Sequence, residues 1–259
     1  FYAHLLADAT DVQQIQEHLA HLVELEFIIA GAGDEYHFSN LLSHEVAYNS
    51  LLLAQRQTLH CRIAAALERH ASRAARLESQ YAALADHYER GGLWPKALEY
   101  RLKAGARARR LYDNSVAVAH LNRAIDVLSR WEQGPQSLLE DAAAYPAVSP
   151  GFFDVQRVEV WTSRGDVLAL TGQYESAQAD FRAALERSQS DESRAELYWR
   201  IGSIHEKLGQ YDAALAALQK GIGLVEPTPQ SSVLPRLLST LGWVFIRQGQ
   251  PEQTRAVSM

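Results

Sequence analysis

A glycine that recurs inside helical periodicity constrains the fold of this chain more than any other feature. The segment WTSRGDVLALTGQYESAQADFRAALE (161–186) has apolar residues at helical spacing and yet places Gly165 in mid-helix. Glycine costs a helix interior about 1 kcal/mol relative to alanine, so a helix that keeps one usually needs the missing side chain for close packing. The segment YWRIGSIHEKLGQYDAALAALQKGI, from Tyr198, repeats the spacing. Gly202 stands for Gly165, Gly209-Gln210-Tyr211 for Gly172-Gln173-Tyr174, Ala214 for Ala177, and Leu218 for Phe181. LLSTLGWVFIRQGQPEQT follows, with Gly242 and Gly249 in the same places. The steps are 37 residues (165 to 202) and 40 residues (202 to 242). Such a period reads as a stack of units, each a helix, a tight turn and a second helix, and not as one closed core.

Two antiparallel helices joined by so short a turn must touch. The closest approach is expected at Gly165 with Ala177 and at Gly202 with Ala214, with Trp161, Tyr174, Phe181 and Leu218 filling the space around them. The pattern resembles the tetratricopeptide repeat, whose consensus has a large residue, a small one four places later, an aromatic near the turn, then Ala, a large residue and Ala. Here these are Trp161, Gly165, Tyr174, Ala177, Phe181 and Ala184. The second copy departs at Gly221, and the long period implies extended helices or linkers.

The resemblance implies an all-α chain whose tetratricopeptide-like helical hairpins stack into a right-handed superhelix, the first helix of each pair lining a concave groove. In that family the residues one, two and five places after the large consensus position point into the groove. Counted from Trp161, Tyr198 and Leu238, they are Thr162, Ser163 and Asp166, then Trp199, Arg200 and Ser203, then Ser239, Thr240 and Trp243. Trp199 and Trp243 fall off the core consensus, and indoles beside an arginine are common interface anchors. The alternative is that the long periods rotate these helices and bury both indoles between repeats. The groove lacks the Lys and Asn pattern with which chaperone adaptors of this fold clamp a terminal carboxylate. The resemblance therefore implies an extended or helical segment with apolar residues as partner, from another protein or from another domain of the same polypeptide.

The N-terminal part has a different texture. DVQQIQEHLAHLVELEFI (11–28) is an amphipathic helix with Ile15, Leu19, Leu22 and Val23 on one face. IIAGAGDEYHF (28–38) reads as a short hairpin turning at Gly31 to Asp34, the one strand pair expected in the chain. Further helices follow in SNLLSHEVAYNSLLLAQRQTLHCRIAAALERH (39–70). Helix, hairpin, helix is the order found in the later part of a winged helix. Residues 36–68, with LADHYERGGLWPKALEYRLKAGARARRLYDNSVAVAHLNRAIDVL (84–128), resemble the region after the ATPase core in large STAND-type regulators. That group includes bacterial class III nucleotidyl cyclases fused to an ATPase and LuxR-type transcription activators. The resemblance implies a catalytic or DNA-binding head, a P-loop ATPase and a winged helix ahead of sensing helical repeats. The start at Phe1 and the end at Met259, one turn into a helix, suggest a chain cut from something larger. The expected division is a winged-helix remnant with its connecting helix (1–70), a first helical-repeat block (71–131), a Pro- and Gly-punctuated linker (132–153) with a turn of helix at Ser137 to Ala143, and tetratricopeptide repeats (154–259), the last truncated.

Charge and missing motifs exclude several functions. Residues 1–55 hold eight acids and no Lys or Arg, whereas 56–110 hold twelve cations against five acids. A winged helix that grips DNA needs cations for the phosphates, so nucleic-acid binding by this element is not expected. There is no Gly-x-x-x-x-Gly-Lys-Ser/Thr, and AGAGDE lacks the strand-to-helix setting of a dinucleotide site. HEVAYN has Tyr48 where a zinc motif needs its second histidine, and His18 and His21 near Glu17 and Glu24 read as a solvated face. No catalytic, cofactor-binding or metal-binding residues are assigned, and the chain is expected not to be an enzyme. Cys61, the single cysteine, reads as a buried structural thiol and fits a reducing compartment. Composition, 47% hydrophobic and 22% charged with no bilayer-length apolar run, leads to an expectation of a cytoplasmic protein with no membrane partner. Lys103, Arg107 and Arg110 line a helical stripe that is either a solvated face or a docking patch for the ATPase domain or an acidic partner; no interleaved aromatics favour nucleic acid.

The isolated chain is expected neither to hydrolyse ATP nor to bind duplex DNA specifically at physiological salt. Micromolar ATP affinity by calorimetric titration, or a sequence-dependent gel shift, would overturn this.

Overall fold

The computed structural model describes residues 1–10, 12–71, 74–134, 148–226, 230–250 and 252, without the side chains of 74–76. The described residues are all-α apart from one two-stranded sheet, and the chain divides into two compact units, 1–111 with 126–147 and 112–125 with 148–259. The linker helix expected at 137–143 and the second helix of the third repeat lie outside the described residues.

The first unit opens with α1 (Ala3–Ala9), α2 (Ile15–Glu24) and the hairpin β1 (Ile28–Ala30) and β2 (Tyr36–Phe38). The strands pair antiparallel with Ile28 opposite Phe38 and Ala30 opposite Tyr36, so the reversal falls where Gly31 and Gly33 predict it. Ala3, Leu19 and Ile28 form a small core with Leu6, Ile15, Val23 and Tyr36 against it. Leu22, expected on the buried face of α2, is 37% exposed, because the helix packs through Ile15, Leu19 and Val23 alone. Helices α3 (Leu41–Ser50), α4 (Leu53–His70), α5 (Ala74–Arg90) and α6 (Trp94–Arg110) follow. Asn40 caps α3 by accepting from the Ser43 amide at 2.7 Å. The Cys61 thiol lies against Gly91, where no side chain beyond hydrogen would fit, and burial raises it to about 11. At that value it is an inert packing group and not a nucleophile.

α7 (Asn114–Gln133) contributes to both units, with residues 114–125 counted in the second and 126–133 in the first. The second unit continues with α8 (Phe152–Leu170), α9 (Tyr174–Arg187), α10 (Asp191–Lys207), α11 (Tyr211–Val225) and α12 (Leu234–Arg247). α8–α9 and α10–α11 are the two full hairpins expected, and their turn glycines, Gly172 and Gly209, have φ of 77° and 71°, a region that L side chains rarely adopt. The interior glycines mark close helix contacts. A Cβ on Gly165 would stand 2.5 Å from Cε1 of Phe181, and one on Gly202 would stand 2.8 Å from Cγ of Leu218. The nearest neighbour of Gly165 is therefore the Phe181 ring and not Ala177, because the ring fills the space that the glycine leaves. Gly221, the departure in the second copy, receives Leu237 from α12 in the same way, 2.8 Å from a built Cβ.

The spacing recurs where sequence reading had not placed it. Ala85, Gly92, Ala97, Arg101 and Ala104 stand at the same offsets as Gly165, Gly172, Ala177, Phe181 and Ala184, so α5–α6 is a hairpin in the same register. Its turn glycine has φ of 72°, and Ala85 and Ala97 are fully buried. Gly105, Tyr112, Ala117, Leu121 and Ala124 carry the register once more, with Tyr112 in the left-handed turn position at φ 60°.

Gly165→Ala is expected to destabilise the chain by about 2 kcal/mol through overpacking against Phe181. Gly223→Ala, in α11 with nothing within 4 Å of a built Cβ, is expected to be neutral or stabilising by about 0.5 kcal/mol. Urea denaturation of both variants checks the pair, and equal effects would refute the close-contact account.

Candidate interaction face

Within the second unit the first helices of the hairpins, α8, α10 and α12, carry the sequence-derived groove residues. Polar bridges join them in a row. Asp166 on α8 accepts from Arg200 on α10 at 2.7 and 3.2 Å, and Arg200 also donates to Glu196 at 2.6 Å. Glu196 accepts in turn from Arg236 on α12 at 3.0 Å, and Glu206 on α10 pairs with Arg247 at 2.8 Å. Burial works against the charge of Arg200, but its hydrogen bond to Asp166 and the two carboxylates more than offset that, so the guanidinium titrates above its usual range. Beneath the row, Arg164 holds the buried Asp180 through two bonds of 2.8 and 2.6 Å and donates to Asn122 at 2.6 Å.

The two indoles separate. Trp199 packs against the cluster of Ala214, Leu218, Val233, Leu237 and Leu241, donates its Nε1–H to Thr240 at 2.9 Å, and is covered by the Arg236 guanidinium 3.8 Å from its ring. It is a half-buried strut between α10 and α12, so the reading in which both indoles stand free in the groove does not hold for Trp199. Trp243 is 59% exposed, and Ile246, one turn on, is 49% exposed. Sequence reasoning did not include Ile246, although it stands three residues after Trp243 on the same helix face. Thr162, Ser163, Asp166, Arg200, Ser203 and Thr240 are half-buried and Ser239 is exposed. Ser203 and Thr240 turn their hydroxyls to backbone carbonyls of their own helices, at Trp199 and Arg236. On the turn side, a cleft of about 630 Å³ is lined by Gln173, Tyr174, Glu175, Gln178, Leu208 and Gln210.

The basic stripe in the first unit is largely neutralised locally. Lys103 pairs with Glu99 at 2.6 Å and lies over the Tyr81 and Tyr100 rings, Arg110 pairs with Glu78 at 2.9 Å, and Arg107 is half-buried. Arg101 on the adjoining stripe is buried and bridges Asp86 and Glu89, the latter at 2.7 Å. Among the described residues, no group of three or more His, Cys, Asp or Glu could hold a metal ion, and no helix is long and apolar enough to cross a membrane.

Comparison with known proteins agrees with the helical-hairpin register. A tetratricopeptide-repeat family model matches residues 156–226, which span α8 to α11. No curated protein matches the chain. Among solved structures, the apo form of RapI superposes with a TM-score of 0.57 at 16% identity, over 83% of this chain and 55% of RapI. The chain thus spans about half the length of that relative. MamA (residue 41 to the end) from Desulfovibrio magneticus RS-1 is also similar, at 15% identity and a TM-score of 0.47, over 80% of this chain and 93% of MamA. The chain carries a tetratricopeptide-type repeat region, a fold that typically serves as a non-catalytic scaffold for protein interaction.

Trp199→Ala is expected to lower stability by about 2 kcal/mol, less than a fully buried indole would cost, whereas Trp243→Ala should leave it within about 0.5 kcal/mol. Thermal and urea melts of the two variants test this division, and equal losses would contradict it.

Proposed function

We propose that the chain is the interaction and regulatory arm of a multidomain signalling ATPase, and that it binds a protein or peptide segment along the α8, α10 and α12 face. The observation that carries the binding part is the exposure of Trp243 and Ile246 beside a row of charges already paired with one another. Cations and carboxylates so matched need no counter-charge from a ligand, so the complementary segment is centred on apolar side chains. Another domain of the same polypeptide can supply it, or a separate protein. Thr162, Asp166, Arg200 and Ser203 would frame the segment, and Trp243 would anchor it.

The signalling context rests on the sequence resemblance to STAND-type regulators and on the helix, hairpin, helix order of α2, β1–β2 and α3, which suits a winged-helix remnant. In this reading residues 1–70 are that remnant, 132–153 a linker and 154–259 the binding repeats, in a cytoplasmic protein whose cyclase or DNA-binding head is encoded upstream. Lys103, Arg107 and Arg110 are a secondary docking patch for an acidic surface, with Arg107 the member least engaged in the first unit.

The test is selection from a random peptide display library with the whole chain as bait, followed by titration of selected peptides using tryptophan fluorescence. Peptides with an apolar centre should be enriched, and Trp243→Ala should weaken them at least about tenfold, the scale of an interface anchor, without changing the melting temperature. Enrichment of none, or of peptides indifferent to Trp243→Ala, would refute the assignment of the face.

A further inference from the structure

Helix α3 is held to the first unit by very little. No residue in it is buried, and Leu41, Leu42 and Val46 are 72%, 69% and 61% exposed. Its inward contacts are His44, with its ring edge-on to Phe38 of β2 at 5.0 Å, and Tyr48. The Tyr48 hydroxyl lies 3.0 Å from Nε2 of His60 on α4, and Nδ1 of His60 lies 3.0 Å from Nδ1 of His87 on α5. His60 is only 7% exposed, so this three-group chain runs from the half-buried α3 contact into the packed interface of α4 and α5. Arg56 on α4 completes the fastening, its guanidinium 5.1 Å from the Tyr48 ring centre and donating to Asn49 Oδ1 of α3 across a long 3.5 Å.

The proton count of this chain is limited by its geometry. With both imidazoles neutral, one of the two facing Nδ1 atoms carries a proton and the other accepts it, and His60 Nε2 meets the tyrosine hydroxyl in the complementary sense. One added proton is tolerated in the same geometry, because a single Nδ1–H still lies between the rings. A second is not, since two N–H groups would then point at each other across 3.0 Å. The surroundings disfavour even the first charge. Burial depresses His60 to about 4, with His87, Arg90 and Arg56 contributing further. Burial and Arg90 also lower His87, against an opposing pull from Asp86. From α3, the groups that face the chain are His44, stacked on Tyr48, and Tyr48 itself; β2 meets α3 through the uncharged Phe38, edge-on to His44. α1 engages the far end of α4, through Asp8 with Arg69 and His70, and His4 pairs with Asp34.

We propose that Tyr48, His60 and His87 form an acid-sensitive latch that keeps α3 docked on α4 at neutral pH and releases it on acidification. An imidazole whose folded pKa lies below its unfolded value favours the folded state while neutral. That contribution is complete above about pH 6.5 and is lost as the pH falls through about 4. The carboxylates of Asp8 and Asp34 have the opposite sign. Hydrogen bonds from His70 and His4 lower them, so the contacts of α1 persist until the pH falls below their depressed values. Acid therefore loosens α3 before α1.

Amide hydrogen exchange of the whole chain reads this directly, with residues 3–9 of α1 as the internal reference. After correction for intrinsic rates, opening of residues 41–51 should rise at least about tenfold between about pH 7 and pH 4.5, while α1 changes little. Tyr48→Phe should open α3 already at neutral pH. His60→Gln, which removes the buried titrating imidazole but keeps a hydrogen-bonding amide between Tyr48 and His87, should diminish the acid response, and His44→Gln should leave it intact. Unchanged exchange of α3 in the unsubstituted chain over this range overturns the latch whatever the variants do, and so does an undiminished response in folded His60→Gln.

Discussion

The contact between a backbone stripped of its side chain and a large residue of the facing helix is the interaction on which the second unit depends. Gly165 receives Phe181, Gly202 receives Leu218, and Gly221 receives Leu237, each at a distance that a Cβ would violate. The first two close a hairpin and the third joins one hairpin to the next, so a single packing device serves both within and between repeats. Because the large residue of each pair is almost wholly buried, the gain in apolar burial offsets the conformational cost of glycine in a helix. Moving any of these glycines along the helix by one place would rotate its gap away from the partner by about a quarter turn, which is why spacing matters more here than composition.

Polar side chains brace what the apolar contacts assemble. Arg164 with Asp180, Arg200 with Asp166 and Glu196, and Arg101 with Glu89 each set a guanidinium between helices where the carboxylates are partly or wholly buried. Such pairs add little net stability, since desolvation opposes the Coulomb attraction, but breaking one would strand a charge in a low-dielectric setting. Their geometric demand for two-pronged donors fixes the register of one helix against its neighbour.

Much of this was legible in the sequence. The turn glycines, the alanines and the large residues of α8 to α11 were placed by spacing alone, because the repeat supplies its own check. The α5–α6 hairpin lies in the helical-repeat block expected at 71–131, but its register escaped that reading although its small residues keep the same offsets. Arg101 occupies the place of Phe181, and an arginine there hides an apolar pattern unless its buried partners, Asp86 and Glu89, are known. Tyr112 conceals a turn for a similar reason, because a non-glycine residue in a left-handed conformation leaves no compositional trace. The residues expected in the groove were taken from register, and register cannot distinguish an indole lying on its neighbour from one projecting into solvent. Trp199 is drawn down by Thr240 and Arg236, and Trp243 has no such partner among the described residues. The His60–His87 contact joins residues 27 positions apart, and nothing periodic announces it.

The self-paired charges along α8, α10 and α12 also bear on how fast anything could arrive there. Asp166, Arg200, Glu196 and Arg236 alternate in sign along the row, as do Glu206 and Arg247, so their fields cancel within a few ångströms of the surface. A ligand approaching this face is not guided by long-range attraction, and its association rate would lie in the unsteered range of about 10⁵–10⁶ M⁻¹s⁻¹ with weak dependence on ionic strength. On the proposed function, discrimination among ligands would then fall to the dissociation step, where the depth to which an apolar group seats against Trp243 and Ile246 would set the residence time.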